Sequence, residues 1–270
     1  MSDSAGNNVS FGPPLPPGGV RIQFASVATA EHFVFTECPI CRTAPPDTDE
    51  HVPAEVIGGW RMTKTCVRCN TVLGTALDPA LNAWATETYT RVKVTSPGFR
   101  GHRFLKGLDV RETAAGEPVF IATPYSSRKA SRTVLDEISA ALSAGQPLDV
   151  ALEPHNLRRV RLAGLKNAYL GACLILQEIP EGDAADRIRA ALVAVREAPR
   201  GPLPECPEAD RLELARSLLK PDGHRVALAA ASPVGSAVPV PPWWISFAGV
   251  VATSWPFPDP PPFDESAKRS

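Results

Sequence analysis

No run of apolar residues in this 270-residue chain is long enough to cross a bilayer as a helix; the most apolar late stretch, 243–255, falls well short of the ~20 residues required. Nothing resembling a signal peptide precedes the first cysteine, so the six cysteines read as thiols of a reducing compartment. A cytoplasmic protein with no membrane partner is therefore expected. The glycine-rich phosphate loop, the dinucleotide fingerprint and internal repeats are all missing, which argues against the common nucleotide-dependent classes and against solenoids. Charge of one sign is missing too: 28 Lys and Arg against 29 Asp and Glu leave a formal net charge of -1. Bulk charge gives no support to nucleic-acid binding, which would have to rest on a local face.

Proline is abundant at 29 residues, but it is bunched at 13–17, 239–242 and 256–262, so it marks extended edges of the chain rather than broken helices. A hydrophobic fraction of 44% suffices for a core of one large or two modest domains. The reading along the chain is a disordered leader over 1–20, a cysteine-containing module over 21–90, an accessory α+β domain over 91–255 and a mobile Pro-rich tail over 256–270.

The chemistry is concentrated between Cys38 and Asp78. Cys38-Pro-Ile-Cys41 and Cys66-Val-Arg-Cys69 are two C-x2-C clips, which together supply four thiolates at the reach a tetrahedral structural Zn2+ requires. Between them stands Asp49-Glu50-His51-Val52-Pro53, and Asn70 follows the last cysteine. None of these is needed for the zinc. A carboxylate beside a histidine, with a carboxamide brought close by the zinc scaffold, is what a one-metal phosphodiesterase needs: oxygen ligands for a hard cation and a neutral imidazole to activate water. The competing class is a non-catalytic zinc-stabilised nucleic-acid- or protein-binding module, in which Glu50 and His51 merely cap a strand.

Glu50-His51-Val52-Pro53, Gly58-Gly59, Cys66-x2-Cys69-Asn70 and Gly74 stand in an order that resembles the zinc-containing branch of the HNH endonucleases. The resemblance implies an α+β protein whose N-terminal zinc-stapled ββα-metal module precedes a mixed, largely helical accessory domain. It implies a first strand carrying Glu50 and His51, a second ending near Thr65, and a helix starting around Cys69 or Asn70. By the same resemblance His51 is the general base, and Glu50 and Asn70 are protein ligands of a catalytic Mg2+ or Mn2+. The implied activity is endonucleolytic cleavage of nucleic acid, expected to be DNA, with a protein partner or a second copy of the chain left open. No asparagine lies between His51 and Cys66, so a backbone carbonyl, Thr63 or Thr65 is expected to orient the imidazole.

Farther along, 21–35 alternates as one or two strands, and the apolar spacing after Asn70 predicts a helix that pauses at Pro79 or two short ones in tandem. Short alternating runs over 91–123 predict a small antiparallel sheet, in which Arg91, Lys93, Arg100, Arg103, Lys106 and Arg111 form a candidate DNA-facing run, with 128–132 extending it. Ser131 or Thr133 is expected to cap a helix that ends at Gly145. Another helix should run over 156–179 with Leu162, Leu165, Tyr169, Ala172 and Leu176 on one face, and Cys173 beside them as a buried free thiol. Arg158, Arg159, Arg161 and Lys166 cluster at its start, where the helix dipole favours anions, so a phosphate contact is expected there. The run Leu165-Lys166-Asn167-Ala168-Tyr169-Leu170 also resembles a segment that follows the nuclease module in some HNH proteins. A further helix is expected over 184–195, and the apolar runs 224–230 and 243–252 should pair as a hairpin.

Overall fold

A computed structural model describes residues 9–10, 21–85, 88–89, 92–97, 102–105, 108–112, 118–122, 136–141, 143–147, 149–152, 155–216, 226–234 and 240–262. The chain is mixed α+β, built of helices and antiparallel sheets. It divides into two compact units, one formed by 1–81 with 158–270 and the other by 82–157. No helix among the described residues is long and apolar enough to cross a membrane.

In the larger unit, β1 (Val9–Ser10) and β2 (Arg21–Thr29) join a sheet whose other strands come from the far end of the chain: β11 (Leu214–Arg216), β12 (Val226–Val234), β13 (Trp243–Phe247) and β14 (Val251–Ser254). The order is β1-β2-β12-β13-β14-β11. The expected pairing of the two late apolar runs is present as β12 against β13, from Val226↔Phe247 to Ala230↔Trp243. The second run itself folds into a hairpin, because Ala248 and Gly249 both take positive φ (51° and 69°) and turn β13 into β14. The strand expected over 21–35 stops at Thr29. Beyond it Ala30 N–H donates to the Val226 carbonyl at 2.8 Å and Phe33 N–H to the Met62 carbonyl at 3.0 Å, which carries the chain from the sheet to the cysteine segment.

That segment contains a hairpin of β3 (Thr48–Val52) and β4 (Trp60–Thr65), followed by α1 (Val67–Ala85). The helix starts earlier than expected, at Val67, whose N–H donates to Asp47 Oδ1 at 3.0 Å, so the second cysteine clip forms its first turn. It also runs through Pro79 instead of pausing. Proline deprives the turn of a donor; Arg159 Nη1 donates to the nearby Ala76 carbonyl at 3.1 Å.

The helix α2 (Leu157–Leu176) is buried on all sides from Leu162 to Leu174, as befits a helix packed between layers rather than on a surface. On one side its glycines admit the sheet region closely: a Cβ on Gly171 would sit 3.1 Å from Ile245 Cγ2 and 3.2 Å from Phe247 Cε1, and one on Gly164 2.7 Å from Leu214 Cδ2. On another it presents Lys166, Asn167 and Tyr169 to the cysteine segment. The helix ends at Leu176 rather than near 179, because Gln177 turns left-handed (φ 55°) and Glu178 N–H closes on the Cys173 carbonyl at 3.2 Å, a Schellman stop. Cys173 is buried as expected, and burial pushes its thiol up to about 12. Two helices follow, α3 (Asp183–Glu197) and α4 (Pro207–Arg211). The start of the Pro-rich tail is packed: Phe257 lies 5.5 Å from Trp255 and 6.4 Å from Tyr169, centroid to centroid.

The smaller unit holds β5 (Thr88–Tyr89), β6 (Val92–Thr95), β7 (His102–Leu105), β8 (Leu108–Glu112), β9 (Pro118–Ala122) and β10 (Asp149–Leu152). They form two three-stranded antiparallel sheets, β10-β6-β7 and β5-β8-β9, instead of the single sheet read from 91–123. Residues 136–141 are helical, and Gly145 (φ 67°) closes that helix with Gln146 N–H on the Ala141 carbonyl at 2.9 Å, so its predicted end is observed. The cap at Ser131 or Thr133, the side chains of the basic run from Arg91 to Arg111 and the extension over 128–132 lie outside the described residues.

Candidate metal centre and adjoining cavity

The first cysteine clip is a tight knuckle, with Cys38 N–H on the Ala44 carbonyl and Arg42 N–H on the Cys38 carbonyl, both at 2.9 Å. The second clip is the start of α1. Together they bring the sulfurs of Cys38, Cys41, Cys66 and Cys69 within 4.8 Å of one another, with Cys41 Sγ 3.8 Å from Cys66 Sγ. A tetrahedron with metal–sulfur arms of ~2.3 Å has edges of about 3.8 Å, so the four cysteines could hold a metal ion and are compatible with structural zinc. The sulfurs cannot all ionise side by side without a cation. The hydrogen bond from Cys69 lowers Cys38 to about 5, while the same contact, burial and the Cys38 charge push Cys69 far up. Cys69 N–H points at Cys66 Sγ at 3.4 Å, and Arg196 Nη1 of α3 at Cys69 Sγ at 3.3 Å, donors suited to sulfur that carries negative charge. Arg196 and Arg68 both pair with Glu197, which fixes α3 beside this cluster.

Glu50, His51 and Asn70 lie apart from the sulfurs, around a cavity of about 210 Å³ whose wall also includes Ala54, Glu55, Gly74, Asp78 and Pro79. Consecutive residues of a regular strand point to opposite faces. Here the β3–β4 register slips between Glu50 (opposite Thr63) and His51 (opposite Arg61), so the extra residue of the bulge is Met62 of β4; Glu50, buried, and His51, half-buried, nevertheless both contribute to the cavity wall. The helical wall follows from spacing alone: Asn70, Gly74 and Asp78 recur every four residues and share a face of α1. Asn70 is anchored by Nδ2 donating to the Asp49 carbonyl at 2.6 Å.

The two glycines after the acid-histidine strand have geometric reasons. Gly58 is left-handed (φ 87°) and closes the turn Glu55–Ile57 with its N–H on the Glu55 carbonyl at 3.0 Å. Gly59 passes so close to the strand end that a Cβ would stand 1.5 Å from the Pro53 carbonyl oxygen. Ala54 N–H donates to Asn167 Oδ1 at 3.1 Å, so α2 fixes this corner as well.

Glu50 lines the cavity yet is only 2% exposed. Its Oε2 accepts from Thr65 Oγ1 at 2.8 Å, and its Oε1 is 2.8 Å from Lys166 Nζ. Lys166, itself 1% exposed, also stands 3.3 Å from each carboxylate oxygen of Asp78. Burial works against its charge, but Glu50 and Asp78 outweigh burial and hold its pKa above the usual lysine value. Burial raises Asp78, with Lys166 opposing and Glu50 adding to the rise. These contacts correct two expectations. Lys166 is no surface phosphate contact, since its charge is spent on two carboxylates, and its neighbours Arg158 and Arg159 donate to the Pro204 and Ala76 carbonyls. Neither threonine orients the imidazole: Thr65 is committed to Glu50, and Thr63 Oγ1 is buried without a hydrogen-bond partner. Sequence reasoning missed Asp78 and the role of Lys166, although the four-residue spacing from Asn70 was a signal that could have found Asp78.

Comparison with known families, with curated proteins and with solved structures finds no match for this chain.

Proposed function

We propose that the cavity is the active centre of a metal-dependent endonuclease of HNH type that cleaves phosphodiester bonds in nucleic acid, with DNA the favoured substrate. The observation that carries this reading is that Glu50, His51 and Asn70 line one cavity. The succession of β3, β4 and α1, with cysteines at both ends of the hairpin, supports the ββα-metal arrangement that the sequence resembles.

In this reading Glu50 and Asn70 hold the catalytic Mg2+ or Mn2+ by oxygen, the donor type that such hard cations prefer. When bound, the cation supplies charge neutralisation at the scissile phosphate and at the leaving oxygen. His51, half-buried in the same wall, takes the proton from the attacking water through its neutral imidazole. Asn70 is held in place by Asp49 from the side opposite its oxygen, and the zinc cluster fixes Asn70 because Cys69 is its chain neighbour. To reach the cation in this reading, Glu50 turns one oxygen out of its contacts with Thr65 and Lys166.

The full occupation of Glu50 by Thr65 and Lys166 favours a second reading, a non-catalytic zinc-stabilised module that binds nucleic acid or protein. Incubation of supercoiled plasmid, single-stranded DNA and RNA with the purified chain over a Mg2+ and Mn2+ titration separates the two. Cleavage that depends on His51 supports the nuclease; binding without cleavage under every metal condition gives the case to the module.

A further inference from the structure

One buried lysine, Lys166, contacts two carboxylates that line the cavity, Glu50 and Asp78, and only Glu50 of the three belongs to the acid-histidine-asparagine set. We propose that Lys166 is a positioning residue that sets the negative charge Glu50 presents to a divalent cation in the cavity, and that Asp78 moderates this by drawing part of the ammonium to itself. The inference rests on the cation-binding role of Glu50 proposed above and adds to it a control exerted from α2, a helix far along the chain.

The geometry divides the ammonium between the two acids. Lys166 Nζ stands 2.8 Å from Glu50 Oε1 and 3.3 Å from both oxygens of Asp78, while Thr65 secures the other Glu50 oxygen at 2.8 Å. Two carboxylates and one ammonium leave the cluster with one net negative charge. With Lys166 1% and Glu50 2% exposed, little water screens their interaction, so each charge is felt strongly by its neighbours. Asp78 also lines the cavity, so a cation there would meet both acids and, behind them, the ammonium. A lysine that served packing alone would require one counter-ion; this one is shared between two acids that face the same space.

This arrangement predicts shifts of opposite sign that cancel when combined. The test uses the full-length, zinc-loaded chain and measures Mn2+ binding by the electron paramagnetic resonance signal of free Mn2+, with Glu50→Gln to identify the cavity site. Asp78→Asn removes a negative charge and leaves Lys166 wholly to Glu50, so Mn2+ binding should weaken about tenfold. Lys166→Met removes the positive charge and should tighten it about tenfold, while cleavage slows because the carboxylate is no longer held. The double variant restores the net charge and should return to within about threefold of the wild type. Zinc content and near-ultraviolet circular dichroism establish that each variant is folded. If Lys166→Met does not fold, Asp78→Asn decides alone, and unchanged or tighter Mn2+ binding by that folded variant overturns the inference. Shifts of the same sign in both single variants, or none beyond twofold, also overturn it while leaving the nuclease reading standing. A wild-type chain with no Glu50-dependent Mn2+ site overturns the cation reading and this inference with it.

Discussion

Tyr169 Oη donates to the Pro39 carbonyl at 2.9 Å, tying the centre of α2 to the knuckle between Cys38 and Cys41 from 130 positions away. The same hydroxyl accepts from Arg189 Nη1 at 3.0 Å, so one buried group joins the cysteine segment, α2 and α3. Tyr169→Phe keeps the ring and removes both bonds, leaving a buried carbonyl and a guanidinium short of a partner. A loss of about 1–3 kcal/mol is expected in urea unfolding, with the zinc content unchanged, since no ligand is touched. An unaltered unfolding midpoint would show that the Tyr169 hydroxyl is not a structural bolt.

The sulfur cluster is expected to bind one zinc and to couple that binding to folding. Cys66→Ser removes a ligand from a set in which all four sulfurs lie within 4.8 Å. Metal analysis should show loss of zinc, and the thermal transition of the larger unit should broaden or disappear, because small metal sites contribute folding free energy directly. Zinc retained at one equivalent with an unaltered melting curve would contradict this.

Gly59→Ala is expected to be among the most damaging single substitutions in the chain. The new Cβ would sit 1.5 Å from the Pro53 carbonyl oxygen, and the obstacle is backbone rather than a flexible side-chain end. The strand ends must move apart, which displaces His51 and Ala54 from the cavity wall. A destabilisation above about 3 kcal/mol or an insoluble product is expected; a soluble protein with wild-type stability would show that the loop relaxes freely.

The left-handed Gln177 supports a prediction of opposite sign. Its φ of 55° carries a steric cost that glycine lacks, and it is the stop residue of α2. Gln177→Gly should raise stability by about 0.5–1 kcal/mol, read as an increase in the denaturant midpoint with unchanged slope. A decrease would mean that the side chain contributes a contact outweighing the backbone gain.

The cysteine clips were legible because metal spacing is a local rule, and so were the ends at Thr65 and Gly145, where strand and helix signals stand in the sequence itself. His51, Glu50 and Asn70 could be named from the sequence as candidates, but not the bulge at Met62 opposite them, since register depends on the partner strand. Lys166 was misjudged for a related reason. Beside Arg158, Arg159 and Arg161 it reads as one of a basic cluster, and only the return of α2 to the cysteine segment shows that its charge is needed inside. Pro79 looked like a helix break because the proline effect is local, yet α1 continues through it to Ala85. The Pro-rich tail was read as mobile from composition, yet Phe257 finds Tyr169 and Trp255 to pack on.

The most direct test of the central claim is cleavage of supercoiled plasmid by the wild-type chain and by His51→Ala, in Mg2+ and in Mn2+, with zinc content measured on both proteins. His51 lines the cavity and is not one of the four residues whose sulfurs cluster, so its loss should leave the zinc and the fold in place. Metal-dependent nicking or cutting by the wild type is expected, with a rate lower by ~10^2 to 10^4 in the variant, the range for loss of a general base. Equal rates for the two proteins, or no cleavage by the wild type with either metal, would contradict it.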